Sequence, residues 1–186
     1  MRLLLTGFEP FAAISVNPSQ LVAERLGGVI LPVSVARMPR DLERAVNETA
    51  PDVVLGLGLA TLRTQVAVER VGINLLDFTL PDNDGVFLEG EPIDSSGPAA
   101  RFATVPVKRI AGRWLEEEIP SYLSNTAGTY ICNQMLYTAL RLGQARGFAA
   151  GFIHLPPLEH VALEKQVRAV ELALDVIEAE LAVSAL

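Results

Sequence analysis

Short apolar runs alternate with stretches of helical spacing along the chain. Residues 2–5 form an apolar run that reads as a first strand. Asn17-Pro18-Ser19-Gln20 then reads as a helix start, with Asn as cap, Pro at the first helical position and Gln20 completing a capping box. That helix is expected to run to about Leu26 and stop at Gly27-Gly28. Residues 29–35 are apolar and β-branched, hence a strand. Residues 41–50 place Leu42, Ala45 and Val46 on one helical face, and 52–59 form a continuous apolar strand. Residues 65–73 alternate as another strand. A helix is predicted over 107–118, a short strand over 121–125, a helix over 129–146, a strand over 149–155 and a long amphipathic helix over 159–182. In that last helix Val161, Val167, Val170, Leu174 and Ile177 are among the apolar positions. The alternation predicts one α/β domain over 1–186, with helices on both faces of a mixed sheet.

Residues 75–105 break the pattern. The segment is rich in Pro, Gly and Asp and has no period. A stretch of that length inside a domain is functional or is ordered by its neighbours.

Composition narrows the classes. Half of the 186 residues are apolar, which excludes disorder, and no run is long enough to span a bilayer. The N-terminus reads as a strand and not as a signal peptide. The net charge of −7 with 15 Lys and Arg, without a basic stripe, argues against nucleic acid as a partner. The positive mean hydropathy, +0.33, suggests apolar surface hidden in an oligomer. One cysteine and two histidines exclude an intramolecular disulfide and a cysteine metal cluster, and a lone thiol suits a reducing cytoplasm.

That cysteine leads the candidate chemistry. Cys132 falls in the first turn of the helix predicted over 129–146, where free N–H groups and the helix dipole favour a thiolate and can hold an oxyanion. The competing reading is a buried core thiol, because Met135, Leu136, Ala139 and Leu140 share its face. His154 ends its strand, the place where α/β sheets gather chemistry, and can exchange a proton with a thiol; alternatively it is a core histidine bonded to a carbonyl. His160, at the start of the last helix, is the other histidine. Glu69 shares a strand face with Ala67, Val71 and Ile73. A carboxylate there needs a partner, either an arginine or an imidazole.

Three other patterns carry less. Gly56-Leu57-Gly58-Leu59-Ala60 is half a dinucleotide fingerprint, but position 61 is Thr and a strand follows where a helix is required. Asp82-Asn83-Asp84-Gly85 opens like a calcium loop with no glutamate to complete it, so it reads as a turn. Glu116-Glu117-Glu118 reads as a solvated helix end.

Taken in order, several segments resemble the pyroglutamyl peptidase type I, or pyrrolidone-carboxylate peptidase, family. They are Thr6-Gly7-Phe8-Glu9-Pro10-Phe11 with Asn17-Pro18-Ser19, then Gly58-Leu59-Ala60, Glu69 to Asn74 and Pro81-Asp82-Asn83. Glu91-Pro92-Ile93 with Gly97-Pro98, Ser124 to Asn133, and Gly151 to Pro156 complete the match. The resemblance implies a three-layer α/β/α sandwich with a mixed, largely parallel central sheet. It also implies a cofactor-free cysteine peptidase that is often tetrameric and acts on peptides with N-terminal pyroglutamate. Carried onto this chain, its catalytic residues are Cys132, His154 and Glu69. Phe8 and Phe11 would sandwich the lactam ring, and Asn17, Tyr130 and Ile131 would line the pocket. Thr79 stands where the family usually carries arginine, and Ala12-Ala13 where a double glycine is common. The stretch between His154 and the last helix is shorter than is usual.

Overall fold

Val53–Leu59 is apolar from end to end and every residue of it is buried, so it sits inside a sheet covered on both faces. The computed structural model describes residues 1–184. In chain order its elements are β1 (Leu3–Phe8), α1 (Pro18–Arg25), β2 (Val29–Leu31), α2 (Met38–Thr49), β3 (Val53–Leu59), β4 (Val66–Glu69) and β5 (Val71–Ile73). They continue with β6 (Ala100–Phe102), α3 (Val107–Glu116), β7 (Ser121–Ser124), α4 (Ile131–Arg146), β8 (Ala149–Leu155) and α5 (Leu163–Ser184). Six strands form one sheet in the order β2-β1-β3-β8-β4-β7. All its pairs are parallel except β4 with β8, so the sheet is mixed and largely parallel.

Helices cover both faces. Leu42 and Val46 of α2 and Met135, Leu136 and Ala139 of α4 pack with Phe8 and Phe152 on one side. On the other, Val22 of α1, Ile110 and Trp114 of α3 and Val167, Val170 and Ile177 of α5 pack with Leu55, Leu57 and Ile153. The result is the expected α/β/α layering.

Several expected boundaries move. β1 extends past Leu5 to Phe8, which places Phe8 at the carboxyl edge of the sheet. Only Val29–Leu31 of the 29–35 run pairs as strand. Helix α2 starts at Met38 and α4 at Ile131. The last helix starts at Leu163, so His160 and Val161 precede it in a turn, with Val161 buried. At α1, Asn17 caps as expected by accepting from Ser19 N at 3.0 Å. The capping box is not formed, because Gln20 Nε2 donates to Glu24 Oε1 instead.

The largest correction concerns residues 65–73. They are two strands in two sheets: Arg70 N donates to Ser124 O of β7, while Arg70 O accepts from Ala103 N beyond β6. Tertiary bonding on both sides of Arg70 thus overrides the period-two pattern. Glu69 keeps company with Ala67 in β4, whereas Val71 and Ile73 pair with β6.

The aperiodic 75–105 segment contains β6 and is tied down both within itself and by its neighbours. Asn74 exchanges side-chain bonds with Asp94 N and O, Leu76 pairs with Glu91, and Asp82 accepts from the amides of Val35, Asp84 and Val86. Asp82 to Gly85 is therefore a turn, in which Gly85 takes φ +81°.

Candidate active site

Three elements converge at the carboxyl edge of β3 and β8. The antiparallel β4–β8 pairing sets Ala67 opposite His154, and two residues on, Glu69 reaches the imidazole. His154 Nδ1 lies 2.7 Å from Glu69 Oε1, and Glu69 is fully buried. Both partners considered for this carboxylate are present, because Arg63 Nη1 also donates to Oε1, at 2.5 Å. Oε2 has no hydrogen-bond partner.

Cys132 is the second residue of α4. Gly128, at φ +77°, turns the chain ahead of Tyr130, which caps the helix in extended conformation without a side-chain bond. Gln134 N is bonded to Tyr130 O, and Asn133 pins this end by bonding Ile73 N, Ile73 O and Leu75 O. The thiol lies over Gly58: a Cβ built there would meet Cys132 Sγ at 2.6 Å and Phe152 Cζ at 2.7 Å. Gly58 is paired in register with His154, and the Phe152 and His154 rings pack edge to face at 4.9 Å. The thiol of α4 therefore lies over the strand next to the one that carries the imidazole, on the α4 side of the sheet.

A narrow, largely apolar slot opens beside the thiol. Phe8, Phe11, Asn17, Val33, Leu59, Tyr130, Ile131 and Cys132 line it. Phe8 and Ile131 are buried, while Phe11 and Tyr130 are partly exposed. Tyr130 is a strut: its hydroxyl donates to Pro81 O and its ring meets Phe78 edge-on at 4.7 Å. Burial and then Asp82 push its phenol up to about 12, so it stays protonated. Asn17 accepts from Ser19 N and Oγ through Oδ1 and donates to Glu9 O through Nδ2.

The electrostatics run against the expectation that the helix terminus lowers the thiol and favours a thiolate. Burial, and then the Glu69 charge, push the Cys132 thiol up to about 12, against the opposing influence of Arg63. Burial also lowers His154, with Glu69 pulling it upward and Arg63 downward. Burial disfavours ionisation of Glu69 too, but His154, Ser124 and the Arg63 charge together outweigh that and hold it below the ordinary carboxylate value. The resting state is thus thiol, neutral imidazole and carboxylate. A carboxylate only accepts, so Nδ1 carries the ring proton and Nε2 is the free base.

The eight residues singled out from the sequence fall into two contiguous groups, Cys132, His154 and Glu69 in one, and Phe8, Phe11, Asn17, Tyr130 and Ile131 in the other, with Cys132 common to both. His160 lies outside them and is exposed beside Glu159. Thr79 is exposed, and Glu69 is paired with a different cation, Arg63. Arg63, Gly58, Val33 and Leu59 were missed. Gly58 carried a signal, since a glycine inside a buried strand marks a close approach, here by a thiol. Arg63 lies in a turn and carried none. Among the described residues no cluster of His, Cys, Asp and Glu has the make-up of a metal site, and no helix is long and apolar enough to cross a membrane.

The family model described as pyroglutamyl peptidase matches residues 1–186. The pyrrolidone-carboxylate peptidase of Thermococcus onnurineus is 43% identical over 176 residues, covering 89% of this chain and 88% of its own. That of Pyrococcus furiosus is 36% identical over 177 residues, covering 89% and 85%. The solved pyrrolidone carboxyl peptidase of Thermococcus litoralis superposes with a TM-score of 0.95 at 34% identity, over 99% of this chain and 96% of that one.

Proposed function

The chain belongs to the pyroglutamyl peptidase family, and we propose that Cys132, His154 and Glu69 carry out its reaction, the removal of an N-terminal pyroglutamyl residue from a peptide. It is a cysteine-type hydrolase. The observation that carries the assignment of roles is the 2.7 Å contact of buried Glu69 with Nδ1 of His154, on the strand next to Gly58, over which the Cys132 thiol lies.

His154 Nε2 takes the thiol proton as Sγ attacks the pyroglutamyl carbonyl carbon. The first-turn N–H groups of α4 receive the oxyanion. His154 then gives its proton to the departing peptide amine as the C–N bond breaks, leaving a thioester. Water, deprotonated by the same imidazole, adds to the thioester carbonyl; the C–S bond breaks, pyroglutamate leaves and the thiol regains its proton. Glu69 fixes the ring tautomer and offsets the imidazolium charge.

The slot suits a flat lactam without a free α-amine. It presents rings and aliphatic groups, with one amide side chain, Asn17. Asn17 Nδ2 carries two hydrogens and spends one on Glu9 O, so the other is available to the lactam carbonyl.

The whole chain acts as one peptidase domain, in the reducing cytoplasm that a free catalytic thiol favours. We assign it a homotetrameric state, supported by the positive mean hydropathy and by the exposed Phe102, at 70%. Light scattering behind a sizing column tests that state. The activity assignment is tested by hydrolysis of a pyroglutamyl fluorogenic amide under reducing conditions, by the native chain and by Cys132→Ser. Release by the native form alone is expected; release by neither overturns the reading.

A further inference from the structure

We propose that Arg63 is a positioning residue for this peptidase, a single forked cation that locks the carboxylate of Glu69 to the segment leading into Cys132. The proposal rests on the triad reading above.

The geometry links all three catalytic segments. Arg63 Nη1 donates to Glu69 Oε1 at 2.5 Å, while Nη2 donates to Thr126 O at 2.8 Å and lies 3.4 Å from Ser124 Oγ. Thr126 stands at the entrance to the Gly128 turn, from which the chain runs into the cap of α4 and Cys132. Behind the side chain, Arg63 N is bonded to Ala60 O, and Ala60 N to Leu155 O, the residue after His154. One planar group thus touches the acid and the nucleophile segment, from a turn fastened to the histidine strand. Lysine cannot make that fork.

The fork also selects which oxygen serves the imidazole. Oε1 receives both Arg63 and His154, and Oε2 neither. Without Arg63 the carboxylate loses the contact that shares Oε1 with His154, and it can rotate away from Nδ1. Its charge has a second consequence. The charged groups acting on His154 are Glu69 from β4 and Arg63 from the β3–β4 turn; its strand partner on β3 is Gly58, over which the Cys132 thiol of α4 lies, and Phe152 of β8 is uncharged. Glu69 favours a protonated imidazole and Arg63 opposes it. An imidazolium beside an unopposed buried carboxylate holds its proton too firmly to pass it to the leaving amine.

The test compares the native chain with Arg63→Gln and Arg63→Lys. Two readouts are taken across pH: kcat and KM for a pyroglutamyl fluorogenic amide, and the rate at which iodoacetamide alkylates Cys132, the sole thiol. Loss of the charge in Arg63→Gln is expected to move the His154 and Cys132 midpoints upward by about half a unit or more. It should cut kcat by roughly 10- to 100-fold with KM within about twofold, because Arg63 touches no residue of the slot. Arg63→Lys is expected to keep the midpoints and lose about tenfold in kcat. Unchanged midpoints in Arg63→Gln, or full kcat in Arg63→Lys, overturn the proposal and leave Arg63 as a turn anchor. If Arg63→Gln does not fold, the lysine variant decides. A native chain that hydrolyses no pyroglutamyl amide defeats the triad reading instead, and the alkylation profiles still judge Arg63.

Discussion

Gly58 leaves its side-chain space to the thiol of Cys132. A Cβ at position 58 would stand 2.6 Å from Sγ, inside any real contact, and 2.7 Å from Phe152 Cζ. The strand partner of Gly58 is His154, so the glycine lets nucleophile and base approach across two adjacent strands. Gly58→Ala is expected to fold with a loss of about 1–3 kcal/mol, the usual cost of overpacking a core. Turnover should fall by roughly 100-fold or more, because a shift of Sγ by an ångström spoils the attack geometry. Urea unfolding and amide hydrolysis measure the two effects; full activity in the folded variant would falsify the packing argument.

Glu69→Gln separates charge from shape. The amide oxygen can still accept from Nδ1–H, but the charge that raises both His154 and Cys132 is gone. Both midpoints should therefore move to lower pH, opposite in sign to Arg63→Gln. The turnover expected to remain is about 10²- to 10⁴-fold below native, the range for a lost general-base orienter. A pH–rate series on the variant checks it. An acid limb that stays put or rises contradicts the assigned charge pattern.

Stability should follow the same groups. The folded chain lowers His154 from 6.5, so between its folded value and about pH 6.5 the unfolded chain binds more protons. That contribution is complete above pH 6.5 and is lost as pH falls through the folded value. Glu69, also lowered, adds a loss that begins nearer 4.5. The urea midpoint of the native chain is expected to drop as pH falls below about 6.5. In His154→Asn the drop should start only near the carboxylate range. Parallel curves for both proteins would remove His154 as the cause.

The two phenylalanines of the slot carry different burdens. Phe8 is 2% exposed and belongs to the core shared with α4, whereas Phe11 stands at the rim with its ring 6.2 Å from Tyr130. Phe8→Ala is expected to cost about 3–5 kcal/mol of stability. Phe11→Ala should cost far less stability and instead raise KM for the pyroglutamyl amide several-fold. Thermal melts beside Michaelis curves distinguish the two; equal melting losses would place Phe11 in the core as well.

Much of this was legible because it depends on local pattern. The buried run of β3, the Asn17 cap and the His154 strand all follow from residue type and period. Glu69 declared itself as a carboxylate among apolar neighbours. What escaped depends on tertiary contact. The break at Arg70 is set by Ser124 O and Ala103 N, which are remote in sequence, and Arg63 finds Glu69 only once the β3–β4 turn folds back. The raised thiol at Cys132 likewise reflects burial against the sheet and the nearby Glu69 charge, which a helix-terminus argument does not see.

Ala12 offers a test of stored backbone strain beside the slot. It has φ +51°, at the second position of a turn closed by Ile14 N and Phe11 O. This is where the family commonly has glycine, and an L-residue with a Cβ pays about 1–2 kcal/mol in that region. Ala12→Gly removes the strain but adds backbone freedom to the unfolded chain, worth about 0.5–1 kcal/mol in the other direction. The balance predicts a gain of up to about 1 kcal/mol, or a melting temperature higher by roughly 2–4 °C. The Ala12 side chain is exposed and lines no part of the slot, so kcat/KM should change by less than about twofold. Calorimetry and the amide assay together decide it: a lower melting temperature means that Ala12 is comfortable in its turn, and a changed KM means that the turn sets the position of Phe11.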